Sequence, residues 1–325
     1  MIDIVAEQSP LGGLERWLGD PAVSEVLVNG GGQVWVERGG RLQPVGAMRP
    51  ATLLAAIEHM LVPVGRRLDR SNPAVDARLA DGSRLCAAIP PIAVDGPCLC
   101  IRRFAAQPIP VTGFADPEVA PVLAELVRRR CNVVVSGGTS SGKTTLLNAL
   151  AQGVPGHERI ITLEDVAELR LVHPHVVRLE TRDATPDGVA AVTLAHLLRT
   201  ALRMRPDRLV VGEVRGEEAV DLLHALNTGH DGSLCTVHAN SAFDALQRLS
   251  ALVIRHTSAW PLVAVQHHVA RAVDAVAHLE RGSDGRRRLT EVVELVPPSE
   301  DRQHIAVRHL VADGRMVGKL TRGRT

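Results

Sequence analysis

The chain has 325 residues, 45% of them hydrophobic, and a formal net charge of +1. That length exceeds what a single hydrophobic core usually fills, so two domains are expected, and the near-neutral balance excludes a global field for nucleic acid or an anionic membrane. With no Tyr, three Phe and three Trp, stacking platforms for single strands are scarce, and no apolar run approaches the ~18 residues of a spanning helix.

The first third of the chain reads as a small α+β domain, residues 1–104. Met1 to Pro10 lacks the basic start and apolar stretch of a leader. Val23 to Val28, Gln33 to Glu37 and Leu42 to Val45 are strand-like runs separated by glycine turns, and Ala51 to Leu61 has helical periodicity. Val75 to Leu79 and Arg84 to Ala88 flank an Asp81-Gly82 turn, and Cys98 to Arg102 makes a further strand. Two prolines and a glycine then break the pattern, marking residues 105–116 as a linker.

From residue 117 onward strands and helices alternate, which argues a mostly parallel sheet covered by helices. Pro117 to Arg130 is the first expected helix, followed by a strand at Val133 to Ser136 and a helix at Lys143 to Gln152. Strands are expected at Ile160 to Leu163, Leu209 to Val211 and Leu234 to Val237, with helices at Val192 to Met204 and Glu217 to Asn227. A late hairpin, Val273 to Leu279 with Arg288 to Val296, ends a domain expected to reach residue 325 with a helical extension. The run Arg286-Arg287-Arg288 beside its turn reads as a solvated loop. Five cysteines form no C-x-x-C pair, so neither a disulfide framework nor a zinc site is expected, and a reducing compartment fits.

The chemistry concentrates where the strand Val133 to Ser136 runs into Gly137-Gly138-Thr139-Ser140-Ser141-Gly142-Lys143-Thr144-Thr145. Gly137 to Thr144 satisfies G-x-x-x-x-G-K-S/T between a buried strand and a helix, the context a phosphate-binding loop needs. Its glycines let successive N–H groups turn inward on phosphate oxygens, Lys143 supplies charge for the β- and γ-phosphates, and Thr144 offers a hydroxyl to Mg2+. ATP and Mg2+ are therefore the expected ligands.

Two acidic segments end strands of the same sheet, where ligands of open α/β folds gather. Glu164 and Asp165 follow the first, an acidic helix start being the alternative reading; Glu213 follows the second, where Gly212 holds the place of the usual aspartate. Glu213 is expected to reach Mg2+ through water or to orient the attacking water, and which glutamate is the principal base stays open. His238 closes the strand Leu234 to Val237 and reads as a sensor of phosphate, with a structural histidine as the alternative. Arginines that could meet transferred charge are Arg102 and Arg103 at the domain border and Arg199, Arg203 and Arg205 ahead of the second acidic strand, surface solvation being the alternative reading of each.

This order of segments, with Thr162-Leu163-Glu164-Asp165, Leu209 to Gly216 and Gly229-His230-Asp231-Gly232-Ser233 through His238-Ala239-Asn240, resembles the type II/IV secretion and pilus-assembly ATPase superfamily. Leu61 to Arg67, Val75 to Arg84 and Ile89 to Phe104 resemble the N-terminal domain of its CpaF-like branch, which serves Tad pili. The resemblance implies a RecA-like ATPase domain behind a PAS-like N-terminal domain, a homo-hexamer, and an ATPase at the inner face of the cytoplasmic membrane acting on platform proteins there. It also implies Lys143 and Thr144 on phosphate and Mg2+, Glu164 and Glu213 as acidic catalysts, and His238 as sensor. A nucleotide-switched scaffold and a RecA-like nucleic-acid translocase are the competing classes.

Overall fold

Val26 and Val28 of one strand face Val36 and Val34 of the next across an antiparallel pair, all four side chains buried. The computed structural model describes residues 9–103, 109–182, 184, 188–257, 260–299 and 304–324. The chain divides into two compact units, Met1–Gln107 with Asp284–Arg286, and Pro108–Ser283 with Arg287–Thr325. Residues 105–108 of the expected linker lie outside the described residues; Val111–Gly113 is a short 3-10 turn.

The N-terminal unit begins with the short helix α1 (Glu15–Leu18) and strands β1 (Val23–Val28), β2 (Gln33–Arg38) and β3 (Arg41–Ala47), followed by helix α2 (Pro50–Leu61). Strands β4 (Ala74–Arg78), β5 (Arg84–Ala88) and β6 (Cys98–Arg102) complete an antiparallel sheet of order β3-β2-β1-β6-β5-β4. Pro50 opens α2, where a missing N–H costs nothing. Leu53, Ala56, Ile57, Met60 and Leu61 recur at helical spacing and pack with Val26, Leu85 and Ile101 of the sheet.

The second unit carries helices α3 (Ala120–Arg128), α4 (Lys143–Ala151), α5 (Leu194–Ala201), α6 (Glu218–Leu226), α7 (Ala242–His256) and α8 (Leu262–Ala272). Its strands are β7 (Val133–Gly137), β8 (Ile160–Glu164), β9 (Val176–Glu180), β10 (Arg208–Val211), β11 (Leu234–His238), β12 (Ala275–Arg281), β13 (Arg287–Leu295), β14 (Val307–Ala312) and β15 (Arg315–Met316). They form one sheet of order β15-β14-β13-β12-β7-β11-β10-β8-β9, parallel from β12 to β9 and antiparallel from β12 to β15. This is a RecA-like α/β sheet. Val133 and Val135 face α3 and α4, whereas Val134 faces the core built by α5 to α8, so β7 is apolar on both faces along Val133 to Val135.

Several boundaries differ from the sequence reading. The helix expected over Pro117 to Arg130 runs Ala120–Arg128 and stops where Arg130 takes φ +53°. The helix expected from Val192 begins only at Leu194, because Val192 bridges Arg182 and the Thr193 hydroxyl caps the first turn by accepting from His196 N at 3.3 Å. The expected helical extension after the hairpin is corrected: Asp313 and Gly314, both at positive φ, turn β14 back as β15, and α7 and α8 precede the hairpin. The tail is tied down by buried acids. Glu294 accepts from Thr321 N at 2.8 Å, and Asp274 meets Arg322 at 2.8 Å and Arg324 at 2.7 Å.

Candidate active site

The loops after β7, β11, β10 and β8, four adjacent strands of the parallel sheet, share its carboxyl edge. Gly137 ends β7 at φ +155°, and a Cβ there would fall 2.5 Å from the Leu279 carbonyl oxygen and also strike Ser141 Oγ. Only glycine fits that space. Ser140 at φ +56° and Gly142 at φ +97° then curl the backbone into a concave run, and α4 starts at Lys143 with no side chain capping its first turn. The positive end of the helix dipole at this start favours an anion. Lys143 Nζ lies over the loop, donating to the carbonyls of Gly137 and Gly138 at 2.9 and 2.8 Å. Thr144 and Thr145 form the first turn of α4 behind it.

The two glutamates occupy different environments. Glu164, 2% exposed, accepts at Oε1 from the amides of Glu168 and Leu169 at 2.8 and 2.7 Å, while its Oε2 is buried with no hydrogen-bond partner. Burial pushes its pKa up to about 7 against the lowering effect of those two amides and of Arg178. Glu213 has a side chain 22% exposed and hydrogen-bonds Arg215 through Oε2. Burial alone would raise its pKa, but the Arg215 hydrogen bond and charge, with the charges of Lys143 and His238, outweigh it and hold the carboxyl below its usual range. The Glu213 carboxyl therefore favours its ionised form, Arg215 beside it and the Lys143 charge of the phosphate loop both contributing.

His238 stands in register with Gly137 across the β11–β7 pair, which fixes it beside the start of the loop. On the other flank, β12 runs parallel to β7, and the buried His278 shares a 2.9 Å hydrogen bond with Ser136 Oγ. Burial holds His278 below the usual histidine range, the Lys143 charge adding to this while Glu280, Glu291 and Asp244 oppose it. Sequence reasoning did not single out His278.

The structure thus brings Gly137 through Thr145, Glu164, Glu213 and His238 to one sheet edge, and it does not bring Arg203 and Arg205 there. Both precede β10, at the amino edge of the sheet, and β10 runs its full length before Gly212 and Glu213 begin. Neither therefore lies at the phosphate loop of its own chain. Arg102 and Arg103 belong to the N-terminal unit, where Arg102 pairs with Glu25 at 3.6 Å and the Arg103 guanidinium donates to the carbonyls of Asp20 and Val23. Arg287, read as part of a solvated run, instead donates through Nε to the Ser140 carbonyl at 3.2 Å. Among the described residues, no helix is long and apolar enough to cross a membrane.

Residues 7–315 match the family described as Type II/IV secretion system protein. The "Putative conjugal transfer protein Rv3659c" of Mycobacterium tuberculosis is 40% identical over 316 residues, covering 93% of this chain and 89% of its own length. The "Type IV secretion system protein PtlH" of Bordetella pertussis is 34% identical, covering 86% of this chain and 92% of its own. Among solved structures, the pilus retraction motor PilT with bound ADP aligns over 93% of this chain and 82% of its own with a TM-score of 0.60 and 21% identity, a likeness of fold.

Proposed function

The chain belongs to the type II/IV secretion system protein family, and from that premise we propose that it is an ATP hydrolase driving a secretion or pilus-assembly machine. The observation that carries this reading is the juxtaposition of a phosphate cradle and a carboxylate at one sheet edge: Lys143 lies over the loop carbonyls after β7, and Glu213 follows β10, two strands away in the same parallel sheet. The cradle fits a polyphosphate, since the left-handed Ser140 and Gly142 lead into α4, whose first turn has no side-chain cap. Thr144 and, through water, Glu213 would hold Mg2+, which when bound neutralises charge spreading over the transferred phosphoryl group.

The residues divide the work. Gly138 through Ser141 donate backbone N–H groups to phosphate oxygens, and Lys143 follows the β- and γ-phosphates. Glu213, ionised and partly open, orients the attacking water and accepts its proton. Glu164, sealed beneath Gly212 and bonded to two backbone amides, positions the loop behind it and is not the principal base. His238, beside the loop, reports phosphate to β11.

The active assembly is a ring of six chains at the cytoplasmic face of the inner membrane, working on platform proteins there. In such a ring Arg203 and Arg205, exposed at the amino edge, serve a neighbouring chain's phosphates, and Arg102 and Arg103 are further candidates. Residues 1–104 act as the N-terminal domain, 105–116 as linker and 117–325 as motor domain. Relatives named for conjugal transfer and type IV secretion, at 34 to 40% identity, favour a conjugation-type apparatus over the Tad pilus that the N-terminal segments resemble.

The test is single-site turnover. Glu213→Gln is expected to keep ATP binding and slow hydrolysis at least about a hundredfold, with Glu164→Gln slowing it less. Wild-type turnover in Glu213→Gln would contradict the assignment.

A further inference from the structure

Three arginines in a row follow the turn between β12 and β13, and the middle one behaves differently: Arg286 and Arg288 are exposed, Arg287 half-buried. Its Nε donates to the Ser140 carbonyl at 3.2 Å. Its Cδ lies 2.9 Å from the point a Cβ on Gly142 would occupy, and the Phe114 ring lies 3.2 Å from that point on another side. Phe114 is fixed in turn, its carbonyl accepting from Leu289 N at 2.8 Å. On the preceding strand, the Leu279 carbonyl stands against Gly137. The β12–β13 pair therefore touches both ends of the phosphate loop.

A loop that aims its amides at phosphate must aim carbonyls away from it, and an outward carbonyl needs a donor. Ser140 adds a second demand, because a residue with a Cβ holds φ +56° only when its surroundings over-determine it. Arg287 meets both demands. Its guanidinium takes the Ser140 carbonyl, and its stem closes the space beside Gly142. We infer that Arg287 is a positioning residue that holds the phosphate loop in its nucleotide-receiving shape before nucleotide arrives. The inference rests on reading this loop as a phosphate cradle. Arg287 leaves Lys143 and Glu213 in place, so its loss weakens ground state and transition state alike: KM rises and kcat stays.

The experiment uses the full chain and compares Arg287→Met, which keeps the stem and removes the donor, with Arg287→Lys, Arg288→Ala and Lys143→Ala. ATP binding by calorimetry is expected to weaken about tenfold in Arg287→Met, with hydrolysis showing the same factor in KM. Arg287→Lys recovers most of the loss, and Arg288→Ala binds as wild type. Without nucleotide, amide exchange within residues 138–142 is faster in Arg287→Met, a change that loss of charge alone does not produce. Wild-type ATP affinity in Arg287→Met, while Lys143→Ala has lost binding, overturns the role of Arg287 and spares the cradle. Equal weakening in Arg287→Met and Arg288→Ala overturns it as well. Wild-type protein that binds ATP no better than Lys143→Ala overturns the cradle reading and this inference with it.

Discussion

Gly212 stands so close to Glu164 that a Cβ on the glycine would fall 2.9 Å from the glutamate's Cγ. Neither can move aside: the Gly212 N–H donates to Leu163 O at 2.8 Å, its carbonyl accepts from Thr236 Oγ1 at 2.5 Å, and Glu164 hangs from the amides of Glu168 and Leu169. The missing aspartate of the second acidic segment follows from this contact. Glu164, reaching across from the adjacent strand β8, fills the space such a side chain would take, and the acid of this segment stands one residue on, at Glu213.

Adding bulk at Gly212 should therefore act through Glu164. Gly212→Ala is expected to cost about 1–3 kcal/mol of stability by overpacking, read from urea unfolding. Amide exchange at Glu168 and Leu169 should speed up, because their acceptor is displaced. Slow exchange at both positions in the variant would contradict the contact's role.

The raised pKa of Glu164 makes stability depend on pH with a definite sign. A carboxyl with an ordinary pKa unfolded and one of about 7 folded binds its proton more tightly in the native state. Its contribution is then complete below the unfolded value and is lost as pH rises through about 7. Wild type should lose about 1–3 kcal/mol relative to Glu164→Gln between pH 5 and pH 8, since glutamine cannot ionise. Urea unfolding at four pH values across that window checks it; parallel curves for the two proteins would show that Glu164 titrates normally.

Arg215 holds Glu213 ionised against burial. Arg215→Ala should raise the Glu213 pKa and move the acid limb of the kcat/KM profile to higher pH, turnover above neutrality being less affected. An unmoved acid limb would mean that another group sets it.

Asp274 precedes β12, at the amino edge of the sheet and away from the phosphate loop, where it binds Arg322, Arg324 and the Asn132 amide. Asp274→Ala removes the carboxylate from two half-buried guanidinium groups, leaving Arg322 its backbone carbonyls and Arg324 its pair with Asp231, and should cost about 1–3 kcal/mol. ATP affinity of the folded fraction should not change. A loss of affinity without a loss of stability would reverse this assignment.

How much of this is legible in the sequence depends on how locally each feature is specified. β7, β8, β10 and β11 are buried on both faces, and their apolar runs mark them even without partners. β9 carries no such mark, because it is an edge strand of half-exposed residues with charges at Arg178 and Glu180. The sequence reading passes over α7 although its signals are local: Ser241 accepts from Asp244 N as a cap, and Ala242, Ala245, Leu246, Leu249, Leu252 and Val253 recur at helical spacing. The phosphate loop announces itself because all its chemistry lies within nine consecutive residues. Gly212, His278 and Arg287 do not, since each acquires its meaning from a residue elsewhere in the chain.

The central claim, a ring motor that hydrolyses ATP at this loop, is tested most directly by steady-state ATP hydrolysis against protein concentration, with light scattering on the same samples and Lys143→Ala alongside. The account predicts specific activity that rises as a six-chain species forms and that Lys143→Ala abolishes. Hydrolysis surviving in Lys143→Ala, or a rate per chain independent of assembly, would contradict it.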